Sequence, residues 1–414
     1  ARPVSIETAV FDTVTPMDHK ASAGPKYPGI KRSELIDFQH RIIHDTLRAD
    51  VHTLTQDLEQ GKFDGVVFSS FFKDELRSWD KIRQGETRVV ECSSLDYTVA
   101  FRMQFLEVLT VLYGSDMVET GLGPGINVYT QLYPAFAQLY ERNLCLDFRK
   151  YDSRLSTEVM IQGARLLSNL TSDPEVSMNF FWPIINSNHQ VACYDVVVGG
   201  GMPSGCPITA VYNSVCNVIM MSYALLKCNP DVHFITFAYG DDNVVSVDQE
   251  ISLEKFTSIL REEFGMEPTA PDKTLNYSFV PPSEVTFLKR TLRATPEYPL
   301  PVPVLPLDSM LSRICWCKGK REFIDQLRSF VTELALFGRE TYTTVQAALL
   351  PAANLPPWDF AYRSAASVLG LEDMTHSPTF SFYCPLPPSV STDDALIALT
   401  EMTRSLHFDD GIPQ

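Results

Sequence analysis

The stretch Phe234-Ile235-Thr236-Phe237-Ala238-Tyr239-Gly240-Asp241-Asp242-Asn243-Val244-Val245-Ser246-Val247 decides how the rest of the chain is read. Two runs of β-branched and aromatic residues flank a tight Gly-Asp turn, the pattern of a β-hairpin. Such a turn carries Asp241 and Asp242 to one end of a sheet. Two adjacent carboxylates repel each other, and a divalent cation is the usual partner that relieves them. An ordinary hairpin with a polar, solvated tip has the same sequence. A catalytic reading requires a third carboxylate, a group that handles phosphate and a nucleotide reader elsewhere in the chain.

Asn143-Leu144-Cys145-Leu146-Asp147-Phe148-Arg149-Lys150-Tyr151-Asp152 supplies the carboxylate. Leu144 to Leu146 form a short apolar strand with Asp147 at its exit, and Asp152 opens a helix carrying Leu155, Met160, Ala164 and Leu167. At a helix start, Asp152 suits a plain cap as well as a site. Gly199 to Pro207 is glycine-rich, which lets backbone N–H groups approach a phosphate or base closely. A long apolar helix over about 207–227 follows, with Pro207 suited to its first turn. Thr209, Asn213 and Asn217 recur every four residues and share one face of it. They meet either a buried network or a site. Residues 73–88 hold five cations among four anions. This is either a solvated face of alternating charge or a basic finger over a triphosphate, with Gly85 turning the chain so that Arg88 faces Lys73.

Helical spacing of Leu35, Phe38, Ile42 and Leu47 predicts a helix over 33–60. Leu253, Phe256, Leu260 and Phe264 mark an amphipathic helix that Gly265 ends. Pro268 to Thr274 is a loop, and Val285 to Leu292 reads as a strand carrying Lys289 and Arg290. The Pro-rich segment 295–307 marks a boundary. Helical periodicity returns over about 321–337, 341–350 and 392–407, with Pro-rich breaks at 351–357 and 385–388.

The 414 residues predict two or three subdomains, and 45% hydrophobic with 21% charged residues is a soluble globular composition. No apolar run reaches the length of a membrane span, and no signal-peptide pattern opens the chain. Nine cysteines lack disulfide or zinc spacing, Cys315-Trp316-Cys317 being the only close pair. They are read as buried thiols in a reducing, intracellular compartment. A net charge of −17 excludes a general nucleic-acid coat but not an internal channel with locally clustered Lys and Arg.

Taken together, these stretches resemble a picornavirus-type RNA-dependent RNA polymerase. The matching signatures run in family order from about Ile6 to about Leu350. They are Lys73-Asp74-Glu75-Leu76-Arg77 with Thr87-Arg88; Asp147 and Asp152; Gly201 to Gly205 with Thr209 and Asn213; Tyr239 to Asp242; Asp272-Lys273; and Phe287 to Arg290. The resemblance implies an α+β right hand of fingers, palm and thumb, the palm an antiparallel sheet backed by helices. It divides the chain into fingers (1–105), palm (106–182), a fingers insertion (183–200), palm (201–294) and thumb with a C-terminal extension (295–414).

The resemblance also implies RNA-templated RNA synthesis for a positive-strand RNA virus. Two Mg²⁺ ions, with Mn²⁺ as a substitute, would lie roughly 3.5–4 Å apart. Asp147 and Asp241 would bridge them, supported by Asp242. Lys73, Arg83 and Arg88 would hold the triphosphate, and Lys273 would protonate pyrophosphate. Asp152, Ser204, Thr209 and Asn213 would read the ribose 2′-hydroxyl. Gly205 and Phe287, Leu288, Lys289 and Arg290 would meet RNA, the last four pressing on the primer. The implied partners are RNA template-primer, ribonucleoside triphosphates, a genome-linked protein primer and other viral replication proteins. The implied location is membrane-associated replication complexes in the host cytoplasm. The chain begins inside the family pattern, so the fingers are expected to lack their first part, and 370–414 run past the usual thumb. A reverse transcriptase shares the paired-Asp hairpin but places a bulky aromatic where Asp152 stands. A catalytically silent RNA-binding scaffold would have no use for three converging carboxylates.

Overall fold

The computed structural model describes residues 1–371 except 76, 78, 192, 315–319 and 350–354. Cys315-Trp316-Cys317 and the expected helix at 392–407 lie outside the described residues. The chain forms two compact units. One takes Ala1–Ile126 with Leu139–Val280, and the other takes Asn127–Gln138 with the described residues from Pro281 to Leu371.

The first unit begins with short helices and then α1 (Asp45–Glu59). The helix expected from residue 33 starts only there. Asp37 Oδ1 accepts from the Gln39 and His40 backbone N–H groups, which turns the chain, and Ile36-Asp37 pairs with Ile42-Ile43. Strands β1 (Phe68–Phe72) and β2 (Val89–Ser93) flank the short helix α2 (Trp79–Arg83). The long, buried α3 (Leu95–Gly114) follows. An expected break after residue 105 would cut this unbroken helix.

Next come β3 (Arg142–Phe148), the single turn α4 (Tyr151–Arg154) and α5 (Thr157–Ser168). Strands β4 (Asn186–Val191) and β5 (Tyr194–Gly199) form a hairpin. Then come α6 (Thr209–Cys228), β6 (Phe234–Tyr239), β7 (Asp242–Val247), α7 (Leu253–Glu262) and β8 (Pro268–Thr269). One sheet has the order β2-β1-β4-β5, so residues 186–199 join residues 68–93 across the intervening chain. The other is antiparallel, in the order β8-β3-β7-β6.

The second sheet positions the site. Its β3 buries Asn143 to Leu146, and α6 packs on α5 and β6. By length and composition α6 could cross a membrane, which corrects the reading that no apolar run is long enough, but 61% of its apolar window is buried inside the protein. Its Tyr212 and Cys216 crowd Gly163 on α5, where a Cβ would meet each at 3.0 Å. Cys145, Cys206 and Cys216 are buried, while Cys193 is exposed, contrary to the expected burial of the thiols.

The second unit has its own core. The hairpin β9 (Thr291–Arg293) and β10 (Val302–Val304) precedes four helices: α8 (Leu307–Ile314), α9 (Lys320–Ala335), α10 (Arg339–Leu349) and α11 (Trp358–Val368). The continuous strand expected over 285–292 is not present. Leu288 and Lys289 take φ of +54° and +61°, and Phe287 and Arg290 exchange both backbone hydrogen bonds around them. Positive φ at two successive positions makes a tight reversal rather than an extended run.

Candidate active site

The β6–β7 hairpin closes at the Tyr239–Asp242 pair, leaving Gly240 and Asp241 as a two-residue loop. Gly240 takes φ +65° at the first loop position, where such loops favour glycine. Helix α6 holds the loop from below. Ser214 Oγ accepts from Gly240 N–H at 2.8 Å, and Asn217 Nδ2 donates to the Gly240 carbonyl at 2.9 Å. Both side chains are buried, so these bonds fix where Asp241 stands. Asn217 therefore belongs to the site's support.

Asp147 sits inside β3, opposite Thr269 of β8, rather than beyond the strand's end. Its Oδ2 is ion-paired with Lys273 Nζ, which a tight turn with φ +67° at Lys273 delivers. Surrounding protein and then the Asp147 carboxylate raise the Asp241 pKa, opposed by Lys273 and Arg88. The two carboxylates thus share one electrostatic environment. Asp242 heads β7. Among the described residues, no three His, Cys, Asp or Glu side chains form a metal-binding group. Two hard-oxygen donors nonetheless suit Mg²⁺, which is commonly held by one or two carboxylates plus substrate phosphates.

Asn213 Nδ2 donates to Asp152 Oδ1 at 2.8 Å, and Asp152 is far from being a simple cap. Burial lifts its pKa to about 6, against the Asn213 hydrogen bond and with help from the Asp241 and Glu91 charges. Ser204 and Gly205 lie along β2. The Gly205 N–H donates to the Glu91 carbonyl at 2.8 Å, and a Cβ at 205 would come within 2.4 Å of that oxygen. Only glycine fits there. Thr209 differs from the expected ribose reader, because its hydroxyl points into the carbonyls of Pro203, Ser204 and Cys206 and ties the glycine loop to α6.

Lys73 N–H donates to the Arg88 carbonyl at 2.9 Å, so the chain does fold back as the Gly85 turn predicts. Both cations gather on Glu75. Arg88 forks onto its two oxygens at 2.7 and 2.5 Å, and Lys73 Nζ lies 3.4 Å away. Arg88 holds the Glu75 pKa down near 2. The Arg88 pKa is raised first by its hydrogen bond to Glu75 and then by the Asp241 and Asp152 charges, so this guanidinium lies within electrostatic reach of both. Arg83 differs: it is exposed on α2, 3.8 Å from Asp80.

Phe287, Leu288, Lys289 and Arg290 belong to the second unit. Phe287 is buried, and Arg290 is 7% exposed and paired with the buried Glu333 at 2.5 Å. An arginine so compensated is not presented to a phosphate, which corrects the expected role of Arg290. Lys289 is the exposed cation of that turn. Sequence reasoning missed Glu75, Glu91 and Ser214 as organising groups. A charged residue within the apolar run Val89-Val90-Glu91-Cys92 was the available signal for Glu91.

Comparison with known proteins identifies the family and the fold. The model of the viral RNA-dependent RNA polymerase family matches residues 6–350. The chain is 35% identical over 355 residues to the genome polyprotein of Ljunganvirus 1, covering 85% of this chain and 16% of that one. It is 33% identical over 371 residues to the polyprotein of Human parechovirus 2 (strain Williamson), covering 89% and 17%. It therefore spans a small part of the curated relatives it matches. The Sicinivirus 3Dpol RNA dependent RNA polymerase structure is similar in fold, with a TM-score of 0.78 at 22% identity, covering 89% of this chain and 82% of that one. The expected α+β right-hand polymerase fold is the one found. The family generally works with divalent metal ions, and its reaction is RNA-templated RNA synthesis in positive-strand virus replication. Neither a reverse transcriptase nor a silent scaffold gains support. With the family model matched over residues 6–350, most of its length, this chain belongs to the viral RNA-dependent RNA polymerases.

Proposed function

We propose that the chain joins ribonucleotides to an RNA primer, on an RNA template, at the Asp147–Asp241 end of the antiparallel sheet. The carrying observation is that β3 pairs with β7, Leu146 opposite Asn243, which sets Asp147 and its ion-pair partner Lys273 beside the Gly240-Asp241 turn, within reach of the Arg88 charge as well. Two carboxylates and two cations at one place suit a reaction that asks mainly for positioning and charge neutralisation. Asp147 and Asp241 would hold Mg²⁺, or Mn²⁺ as a substitute, with Asp242 in support. The bound ions would act as Lewis acids at the primer hydroxyl and the leaving pyrophosphate.

The chain's own groups do the rest. Lys73 and Arg88 take the triphosphate, and Lys273 leaves Asp147 to give its proton to pyrophosphate. Asp152, Asn213 and Ser204 face the ribose. The sheet β2-β1-β4-β5 is the fingers, β8-β3-β7-β6 the palm and the second unit the thumb. The partners are RNA template-primer and ribonucleoside triphosphates, with a genome-linked protein primer and other viral proteins in replication complexes on host cytoplasmic membranes.

Asp241→Asn tests the reading. Primer extension should be abolished, the circular dichroism spectrum unchanged and Mn²⁺ affinity, read by electron paramagnetic resonance, strongly weakened. Extension at the wild-type rate would reject the assignment.

A further inference from the structure

We infer that Glu91 is a positioning residue for sugar selection, acting by fixing the Ser204 hydroxyl as a hydrogen-bond acceptor. Glu91 grips the glycine loop through both backbone and side chain. Gly205 N–H donates to its carbonyl at 2.8 Å, and Cys92 bridges Gly205 in strand fashion. Its Oε2 accepts from Ser204 N–H at 3.4 Å and from Ser204 Oγ–H at 3.2 Å. Glu91 N–H in turn donates to Ser204 Oγ at 3.4 Å.

A serine hydroxyl has one proton and two lone pairs. Here the proton goes to the carboxylate and one lone pair takes the Glu91 N–H. What remains is a single lone pair, which can only accept. Asn213 is committed in the same sense. Its Nδ2 donates to Asp152, while its Oδ1, on a residue 4% exposed, finds no hydrogen-bond partner among the described residues. After burial, the Glu91 charge is among the groups that raise the Asp152 pKa, which puts the serine's anchor close to this pair. Both polar readers therefore offer acceptors, and the ligand must bring donors. Ribose hydroxyls are donors, whereas a deoxyribose carbon and a 2′-fluorine are not.

The inference rests on the proposal that Ser204 faces the ribose, and the test separates the two. The ratio of kcat/KM for a ribonucleotide to that for its 2′-deoxy analogue is measured in primer extension, with thermal melting as the check on folding. Ser204→Ala should narrow the ratio by about tenfold, as loss of one hydrogen bond to a hydroxyl would. Glu91→Ala should narrow it comparably, and the double variant should narrow it no further, because both changes remove one interaction. Glu91→Gln, whose amide oxygen still accepts the serine proton, should recover most of it. A purely structural residue would lower the melting point and both kcat/KM values without moving their ratio.

An unchanged ratio in folded Glu91→Ala, or additive losses in the double variant, overturns the role of Glu91 while leaving Ser204 in place. An unchanged ratio in Ser204→Ala overturns the ribose reading of Ser204 and this inference with it. The wild-type enzyme decides if Glu91→Ala does not fold. Rejection of a 2′-fluoro nucleotide as strong as that of the 2′-deoxy one supports the acceptor assignment, and use of the fluoro nucleotide like a ribonucleotide overturns it.

Discussion

Asp152 has a pKa of about 6 against an ordinary 3.8, first because it is buried. The folded state therefore holds this proton more tightly than the unfolded chain, and the group's contribution to stability grows as pH falls through 6 towards 4. At neutral pH the ionised carboxylate opposes folding. Without divalent metal, Asp152→Asn should melt higher than wild type at pH 8, by at most about 3 kcal/mol for a shift of this size. The gap should shrink as pH falls through about 6, and a gap that does not change with pH counts against the raised pKa. Asn213→Ala, which removes the Asp152 partner, should narrow the ribonucleotide to deoxyribonucleotide ratio of kcat/KM by roughly one to two decades. Equal losses for both sugars would place sugar choice elsewhere. At this scale the sequence located Asp152 and Asn213 but not their joint environment. Spacing four residues apart put Asn213 and Asn217 on one face, but only the fold shows that one meets a carboxylate and the other a loop carbonyl. Glu75 and Glu91 escaped notice because a carboxylate among cations or in a strand has no local signature for what it grips.

At the scale of elements, the sequence was most legible where side-chain period and turn chemistry agreed. The β6–β7 hairpin, α6 and the helix ended by Gly265 all stand as expected, Gly265 at φ +66°. It failed where apolar spacing continued through a turn, as at residues 36–43, and at 287–290. There β-branched and aromatic neighbours read as a strand, while Leu288 and Lys289 bend to a conformation that side chains disfavour. Lys289→Gly should relieve that bend and raise stability by about 1 kcal/mol in denaturant melts. The same change should weaken RNA binding if the turn meets RNA, so stability and affinity move in opposite directions. The neighbouring Arg290 lies over the Tyr129 ring at 4.9 Å and pairs with Glu333, itself 7% exposed. Glu333→Ala strands a buried guanidinium and should lower stability by about 3–5 kcal/mol. A loss under about 1 kcal/mol in urea melts would mean that solvent reaches the pair.

For the whole molecule, a charge of −17 and the proposed RNA ligand pull in opposite directions, and the distribution of cations decides how RNA binding would respond to salt. Lys73, Lys81, Arg83 and Arg88 of the 73–88 segment, with Lys273, Lys289 and Arg290, are cations of the stretches that resemble the family's nucleotide- and RNA-facing signatures. All but Arg290 are exposed. Three of the exposed ones have other commitments: Lys73 and Arg88 to Glu75 and, by our proposal, the triphosphate, and Lys273 to Asp147. That leaves Lys81, Lys289 and Arg83, whose 3.8 Å pair with Asp80 is exposed on both sides and holds it only weakly, to neutralise backbone phosphates. Counterion release from a single strand gives a slope of about −0.7 per phosphate contacted, so three contacts predict a log affinity against log salt slope of about −2. Fluorescence anisotropy with a short single-stranded RNA between 25 and 200 mM salt would read it. A slope of about −5 or steeper would show that RNA engages cations outside this set, and a flat profile would show that binding does not rest on phosphates. Lys289→Gly should take slightly under one from its magnitude. Arg290→Met with Glu333→Met, which removes a buried pair of opposite charges, should leave the slope unchanged.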